Sequence, residues 1–330
     1  MSENLTFFTT AEEVADVFAN RIRGKNVLIT GTSLHGIGFE AARVIAKYAN
    51  MVIIAGYSAE RLQLSSDAIK RELPSANIRQ LVLDLSSLAA VRKAAEEVNA
   101  YPEPLHVLIN NAAAAVVFSE VTVDNLERQM ATGHIGPFLL TNLLAAKLIA
   151  SRSHSTAATT EEQHLPRVVF VASDSHAHCK AIDFTSFAQP TPGKYGSAFE
   201  YYYEMKSAVI LTAIEMARRA KGKMEVFSLH PGLIYTPLAQ KPESQAELVA
   251  VGLFDENYTP SAKLEWKTLG QGAATTVTAA FDPSLSDKSG AYLIDCKDAS
   301  DEIAPHASDL INASRVWEVT EGIVGQSFEL

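Results

Sequence analysis

The chain is poor in cysteine, in net positive charge and in long apolar runs, and each shortage excludes something. Cys179 and Cys296 are its only two cysteines. They do not suggest a disulfide framework, and a reducing, cytoplasmic compartment is the expectation. Lysine and arginine total 28 against 38 acidic residues, for a net charge of -10 and a pI of about 5.4. Nucleic acid and anionic membrane both need a basic surface, so neither is expected as the main partner. The most apolar stretch, residues 138–150, is short for a transmembrane helix and contains Lys147, so no integral membrane segment is expected. Residues 1–25 carry acids among their apolar positions, unlike a leader peptide, and no internal repeat stands out. His176, His178 and Cys179 lie close together, but no second ligand cluster accompanies them, so no metal is expected.

What is present is a 47% apolar chain of 330 residues, enough for one large α/β domain. Short β-rich runs alternate with helical segments. The strands are expected at 26–30, 51–55, 78–83, 106–109, 168–172, 224–229 and 291–294. Helices are expected at 10–20, 39–48, 122–150, around Tyr202, at 269–281 and around Trp317. That alternation predicts a doubly wound, mostly parallel Rossmann-type sheet with helices on both faces, spanning 1–330. Residues 1–24 read as an extension whose helix, capped by Thr10 and Glu13, braces the sheet. Residues 151–166 read as a mobile surface loop. Residues 237–265 read as a substrate-binding lid whose apolar members include Leu238, Leu248, Val249, Val251, Leu253 and Phe254.

The first strand runs into Gly31-Thr32-Ser33-Leu34-His35-Gly36-Ile37-Gly38, which opens a helix. Strand, glycine loop and helix suit a dinucleotide pyrophosphate, because backbone amides approach it closely and the helix N-terminus is partly positive. An NTPase loop would need Lys and Ser/Thr where Ile37 and Gly38 stand. After the second strand, Gly56-Tyr57-Ser58 offers no acid for a ribose hydroxyl, and Arg61 and His35 lie within reach of a 2′-phosphate. NADP(H) is therefore the preferred cofactor, with NAD(H) the alternative. Asp84 ends the third strand, where it suits an adenine amino group or caps the helix beginning near Ser87. Asn110-Asn111-Ala112-Ala113 ends the fourth, and its small residues leave room for a cofactor. Pro231-Gly232 with Ile234 and Thr236 follows the sixth and suits a carboxamide. Ser173 ends the fifth. Tyr202 and Lys206 are four apart on one helix face, a spacing that lets an ammonium favour an ionised phenol and so tune an acid/base.

Together these blocks resemble the short-chain dehydrogenase/reductase family, in family order across about residues 25–300. The Ser173-to-Tyr202 interval and the tail around Ser289-Gly290-Ala291-Tyr292 look like the retinol-dehydrogenase-like and WW-domain-oxidoreductase-like branch. The resemblance implies Tyr202 as general acid/base, Lys206 lowering its pKa and binding the nicotinamide ribose, and Ser173 holding the substrate oxygen. It implies a cofactor site of Gly31, Ser33, His35, Gly36, Ile37, Gly38, Tyr57, Arg61, Asp84, Leu85, Asn111, Ala112, Ala113, Pro231, Gly232, Ile234 and Thr236, with Tyr202 and Lys206. The substrate expected is an apolar ketone, aldehyde or secondary alcohol, as for a ketoreductase, and the assembly a homodimer or homotetramer. Three departures stand out: one extra residue in the glycine loop, Ala113 for a glycine, and Gly133 where the family carries a catalytic asparagine that holds a relay water. Gly133 motivates two rival readings, a non-redox enzyme on this fold or a dinucleotide-binding regulatory protein.

Overall fold

The structure, a computed structural model, describes residues 5–114, 120–154, 164–189, 191, 194–237 and 239–330. Helices α1 (Ala11–Val17) and α2 (Ala19–Ile22) precede β1 (Asn26–Thr30). Then α3 (Ile37–Ala46), β2 (Met51–Gly56), α4 (Ala59–Glu72), β3 (Ile78–Val82), α5 (Leu88–Ala100) and β4 (Val107–Asn110) alternate. A continuous helical segment follows, with α6 (Arg128–Met130), a π-turn (Ala131–Ile135) and α7 (Gly136–Ala150). Next come β5 (Arg167–Val171), α8 (Ala198–Arg219), β6 (Glu225–His230), α9 (Pro242–Ala250), α10 (Leu269–Phe281) and β7 (Tyr292–Ile294). The chain ends with β8 (Lys297–Asp298), α11 (Pro305–Ser308) and α12 (Leu310–Val324).

The strands form one sheet in the order β3-β2-β1-β4-β5-β6-β7-β8. The six strand pairings up to β7 are parallel, in the registers Asn26–Met51, Val27–Val107 and Arg167–Glu225 among others, and only β8 runs antiparallel. β1, β4, β5 and β6 lie with every residue buried, because helices cover both faces and leave no side to water. One face packs Phe138, Leu139, Leu144 and Trp317 of α7 and α12 on the sheet, with α5 and α8. The other packs α1, α3 and α10 through Val14, Phe39, Ile45 and Val277. Strand order reverses at β1, whose neighbours are β2 and β4, so a crevice opens at the carboxyl ends of those strands.

The expected elements form at nearly the expected places. Thr10 and Glu13 make the predicted capping box, and α1 packs on α10 and α3. Glu12 and Asp16 tie it to Arg43 of α3 and to Lys47, the residue that caps the end of α3. The N-terminal helix breaks at Phe18, giving two short helices instead of one. Residues 122–127 are not helical, and the predicted interruption near Gly133 is the π-turn. Through that turn the segment Arg128–Ala150 is long and apolar enough to cross a membrane by composition, yet 72% of its most apolar window is buried inside the fold. β8 is only two residues long, too short for an alternating pattern to announce it. The loop expected at 151–166 begins as a 3-10 turn, Ser151–His154, and its residues 155–163 lie outside the described ones, as does Leu238. In the expected lid, Leu248 and Phe254 bury themselves against Ala198 and Phe199 of α8, whereas Val251 is exposed.

Candidate active site

β5 delivers Ser173 two residues beyond its end, in extended backbone. The Ser173 hydroxyl accepts from the Ser175 amide at 3.2 Å and the Ser175 hydroxyl at 2.8 Å, and donates to Asp174 Oδ1 at 3.2 Å. Ser197 and Glu200 cap α8 with a reciprocal box, which fixes the helix start one turn before Tyr202. From there Tyr202 and Lys206 present one face toward β5. Tyr202 is half-buried, and Ser173 lies near enough to its phenol to oppose the upward shift that burial imposes. Lys206 is buried, donates to the Val171 carbonyl at 2.8 Å, and holds its ammonium 5.4 Å from the Tyr202 ring centre.

The electrostatic balance runs opposite to the sequence expectation. Burial pushes the Tyr202 phenol up to about 12, with Ser173 opposing and the Asp174 charge adding to the rise. The same burial pulls Lys206 down to about 7. Within the protein alone, desolvation of both groups outweighs the help an ammonium gives a phenolate.

The glycine loop and the end of β4 interlock across the crevice. The Thr30 hydroxyl accepts the amides of Asn111 and Ala112 at 3.0 and 3.1 Å. The Asn111 side chain donates to the carbonyls of Thr30 and Gly31 at 2.9 and 3.2 Å, so its amide braces the strand ends. Gly31 has φ +73°, and a Cβ there would lie 2.7 Å from Ala112 Cα. A Cβ on Gly38 would lie 2.4 Å from Asn111 Nδ2. Two of the motif glycines are thus set by the β4 loop packed over them. Gly36 caps α3 with no side-chain hydrogen bond, whereas α4, α5, α8 and α10 each carry one. The first-turn amides of α3 beside Ser33, His35, Ile37 and Gly38 therefore fit the pyrophosphate of a dinucleotide.

At the rim of the same crevice, Arg61 stacks over the exposed Tyr57 ring at 5.5 Å, one turn into α4. Asp84 binds Ser86 through its amide and hydroxyl at 2.9 and 2.6 Å, and Ser87, not Asp84, caps α5. Leu85 is buried behind it, its carbonyl pressed close to Gly136. Across the crevice, Ile234 bridges to Lys267, whose buried side chain pairs with Asp295 and runs beneath Gly232, 2.6 Å from where a Cβ would stand. Pro231, Gly232, Ile234 and Thr236 are thereby held as one turn over the ends of β6 and β7, and the Thr236 amide donates to the Ile234 carbonyl at 3.0 Å.

Gly133 lies in the π-turn against α8. A Cβ there would stand 2.5 Å from Met205 Sδ and 2.9 Å from its methyl, so the Met205 thioether fills the space beside it. Met205 is buried, and so is His134, the residue after Gly133. The sequence offers Met205 only as the neighbour of Lys206, with nothing to connect it to a residue seventy positions earlier. Asp174, His230 and Lys267 also went unread, and Asp295, which belongs with Cys296 to the tail that resembles the retinol-dehydrogenase-like branch, was given no role. The first two flank blocks that were singled out, and adjacency was their only signal.

Above the phenol, Phe199 meets Tyr202 edge-on at 6.0 Å and Tyr203 at 5.8 Å. Phe254 joins Tyr235 at 5.6 Å and Trp266 at 6.0 Å. These rings, with Leu248, form one apolar cluster against which Tyr202 packs.

A family model described as short chain dehydrogenase matches residues 25–178. Over 96% of its length the chain is 32% identical to the short-chain dehydrogenase TIC 32 A, chloroplastic, of Brassica napus, spanning 93% of that protein. It is 30% identical to retinol dehydrogenase 12 of Bos taurus, over 93% of this chain and 88% of that one. Among solved structures, a carbonyl reductase from chicken fatty liver with bound NADPH superposes with a TM-score of 0.55 at 18% identity, covering 82% of this chain and 96% of that one. An uncharacterised Mycobacterium paratuberculosis protein gives a TM-score of 0.67 at 23% identity, covering 94% and 98%.

Proposed function

The chain belongs to the short-chain dehydrogenase/reductase family and is an NAD(P)-dependent oxidoreductase, and from that premise we propose that it prefers NADP(H) and interconverts an apolar carbonyl compound and its alcohol. The observation that carries the chemistry is the convergence of Ser173 at the end of β5 with Tyr202 and Lys206 of α8, Lys206 donating to the Val171 carbonyl two residues before Ser173 and holding its ammonium 5.4 Å from the Tyr202 ring centre. A bound nicotinamide supplies or accepts the hydride. Ser173 holds the reacting oxygen, and Tyr202 gives it a proton in reduction or takes one in oxidation. Lys206 would bind the nicotinamide ribose through its remaining ammonium donors. Asn111, Ala112 and Ala113 would shape the crevice floor, and the turn carrying Ile234 and Thr236 would hold the carboxamide.

The NADP preference rests on the Tyr57–Arg61 platform and on the absence of an acid at the end of β2. Preference for an apolar substrate rests on the ring cluster of Phe199, Tyr235, Phe254 and Trp266. Retention of Ser173, Tyr202 and Lys206 in one constellation favours redox turnover over a purely regulatory role.

Two measurements test this. Fluorescence titration with NADPH and NADH should give tighter NADPH binding, and equal affinities would remove the cofactor preference. Tyr202→Phe should lower turnover of a carbonyl substrate by about 10²–10⁴-fold with cofactor binding retained, since it removes the general acid alone. Unchanged turnover would overturn the mechanism.

A further inference from the structure

The peptide bond that leaves Ser173 is held from both sides by an imidazole. Its carbonyl accepts from His176, through the backbone amide at 3.4 Å and through ring Nδ1 at 2.7 Å. Its N–H, that of Asp174, donates to Nδ1 of His230 at 3.1 Å. Both rings are buried, His176 at 2% exposed and His230 at 8%. The proton positions follow from the partners. A backbone amide only donates, and the Ala304 amide donates to His176 Nε2 at 3.1 Å. That nitrogen therefore carries a lone pair, so Nδ1 carries the hydrogen and donates to the Ser173 carbonyl. His230 is the opposite tautomer, because its Nδ1 accepts and its hydrogen is left to Nε2. Burial disfavours a second proton on either ring. Tyr292 of β7 meets the His176 ring edge-on at 5.4 Å and holds its plane.

We propose that His176 and His230 are positioning residues, a pair of neutral imidazoles that clamp the Ser173–Asp174 peptide and so aim the Ser173 hydroxyl at the reacting oxygen. The inference rests on Ser173 holding that oxygen. A peptide unit is planar and includes the Cα atoms on both sides. Holding its carbonyl and its N–H together therefore fixes rotation about the Ser173 Cα–C bond, at ψ 153°. Each ring also brings a second segment to the serine. His230 ends β6 and leads directly into the Pro231-Gly232 turn. His176 is gripped through Ala304, the residue before α11, and so carries the hold of the C-terminal segment. A displacement of the serine by about 1 Å is enough to cost on the order of 10²-fold in rate, which is what such a clamp prevents.

Asparagine and glutamine separate the clamp from mere packing. The Asn amide group takes the place of ring Nδ1, and the Gln amide group that of Nε2. His176→Asn keeps the donor to the Ser173 carbonyl and loses the Ala304 bond, whereas His176→Gln does the reverse. His176→Gln should therefore lower kcat about tenfold or more relative to His176→Asn, with KM for NADPH unchanged and the two urea midpoints similar. His230 should give the same order, since only Asn puts an acceptor where Nδ1 stands. Equal kcat for the Asn and Gln variants, or losses that simply follow the urea midpoints, would overturn the clamp. Wild-type protein gives a second reading that needs no variant to fold. Nitrogen NMR of isotope-labelled histidine near neutral pH should show His176 neutral with its hydrogen on Nδ1, and His230 neutral with its hydrogen on Nε2. A charged His230, paired instead with Asp174 Oδ1 at 3.4 Å, would sink the proposal. If Ser173→Ala kept full turnover, the reading of Ser173 would fall. If Ser173→Ala were inactive while His176→Gln and His230→Gln turned over like wild type, only the clamp would fall.

Discussion

Tyr202 stands between an open side and a packed side, built from the same kinds of element but by different means. On the open side, Ser173, Asp174 and Ser175 follow one another in a turn, and their hydroxyls and carboxylate bond each other before reaching solvent. On the packed side, Gly133, His134 and Met205 come from two helical segments and meet through volume, with Phe138 and Trp317 edge-on behind them at 4.7 Å. The difference teaches that one helix can be seated by dense packing on one neighbour while polar groups that reach water line the other. Positioning favours dense packing, whereas proton exchange needs groups that rotate and meet water.

The strongest way to break this contrast is to cut the open side at its root. Ser173→Ala removes the hydroxyl that donates to Asp174 and holds the Tyr202 phenol down. It should lower kcat by about 10²–10⁴-fold and raise the Tyr202 titration, because Ser173 lowers it. A small loss in kcat with an unmoved titration would mean that the two side chains do not communicate.

The packed side is broken by adding volume. Gly133→Asn restores the side chain that the family resemblance expects, but its Cβ meets Met205 Sδ at 2.5 Å. Met205 is 1% exposed and has little room to swing away, so the single variant should lose about 1–3 kcal/mol of stability, as overpacking commonly costs. Met205→Ala in the same chain should recover most of that loss. Denaturant midpoints of the two single variants and the double variant check it, and additive losses would show that the pair is not coupled.

How much of this was legible in the sequence follows the same division. The strands were readable because full burial turns each into a short β-rich run, and the glycine loop because strand, turn and helix occur in succession. The reason for its glycines was not: Gly31 and Gly38 answer to Ala112 and Asn111, seventy and more residues away. Asn111 looked like a residue lying free along a cofactor, and its amide is spent on β1. Asp84 looked like a cap, and Ser87 took that role because the helix begins at Leu88. Lys206 was expected to pull the phenol down, yet spacing on a helix says nothing about desolvation, which dominates both groups. Gly133 was visible as a departure, but what fills its place depends on a contact between helices. Asp174 was passed over because an acid next to a serine has no periodicity to mark it.

The mildest perturbation of the packed side is a change of pH at His134. Its Nε2 lies 3.0 Å from the Thr320 hydroxyl, which itself donates to the Val316 carbonyl at 2.6 Å, so the imidazole is the donor in that pair. Its Nδ1 lies 3.5 Å from the Thr212 hydroxyl and is left to accept. The neutral ring is therefore satisfied on both nitrogens, and a second proton would displace the Thr212 donor. Burial accordingly pulls His134 from 6.5 down to about 3. The unfolded chain binds that proton first as pH falls below about 6.5, so stability is lost progressively from there toward 3. One pH unit below the unfolded value, the contribution approaches about 1.4 kcal/mol. His134→Gln keeps one donor and one acceptor without a titration, and should flatten the decline in urea-unfolding free energy between pH 7.5 and 5.5 by about 1 kcal/mol. His176, His230 and His306 are also disfavoured from protonation by burial, so part of the decline will remain in both proteins. Were the two pH profiles parallel, His134 would have to gain its proton inside the folded chain, and the packed side of Tyr202 would be open to solvent after all.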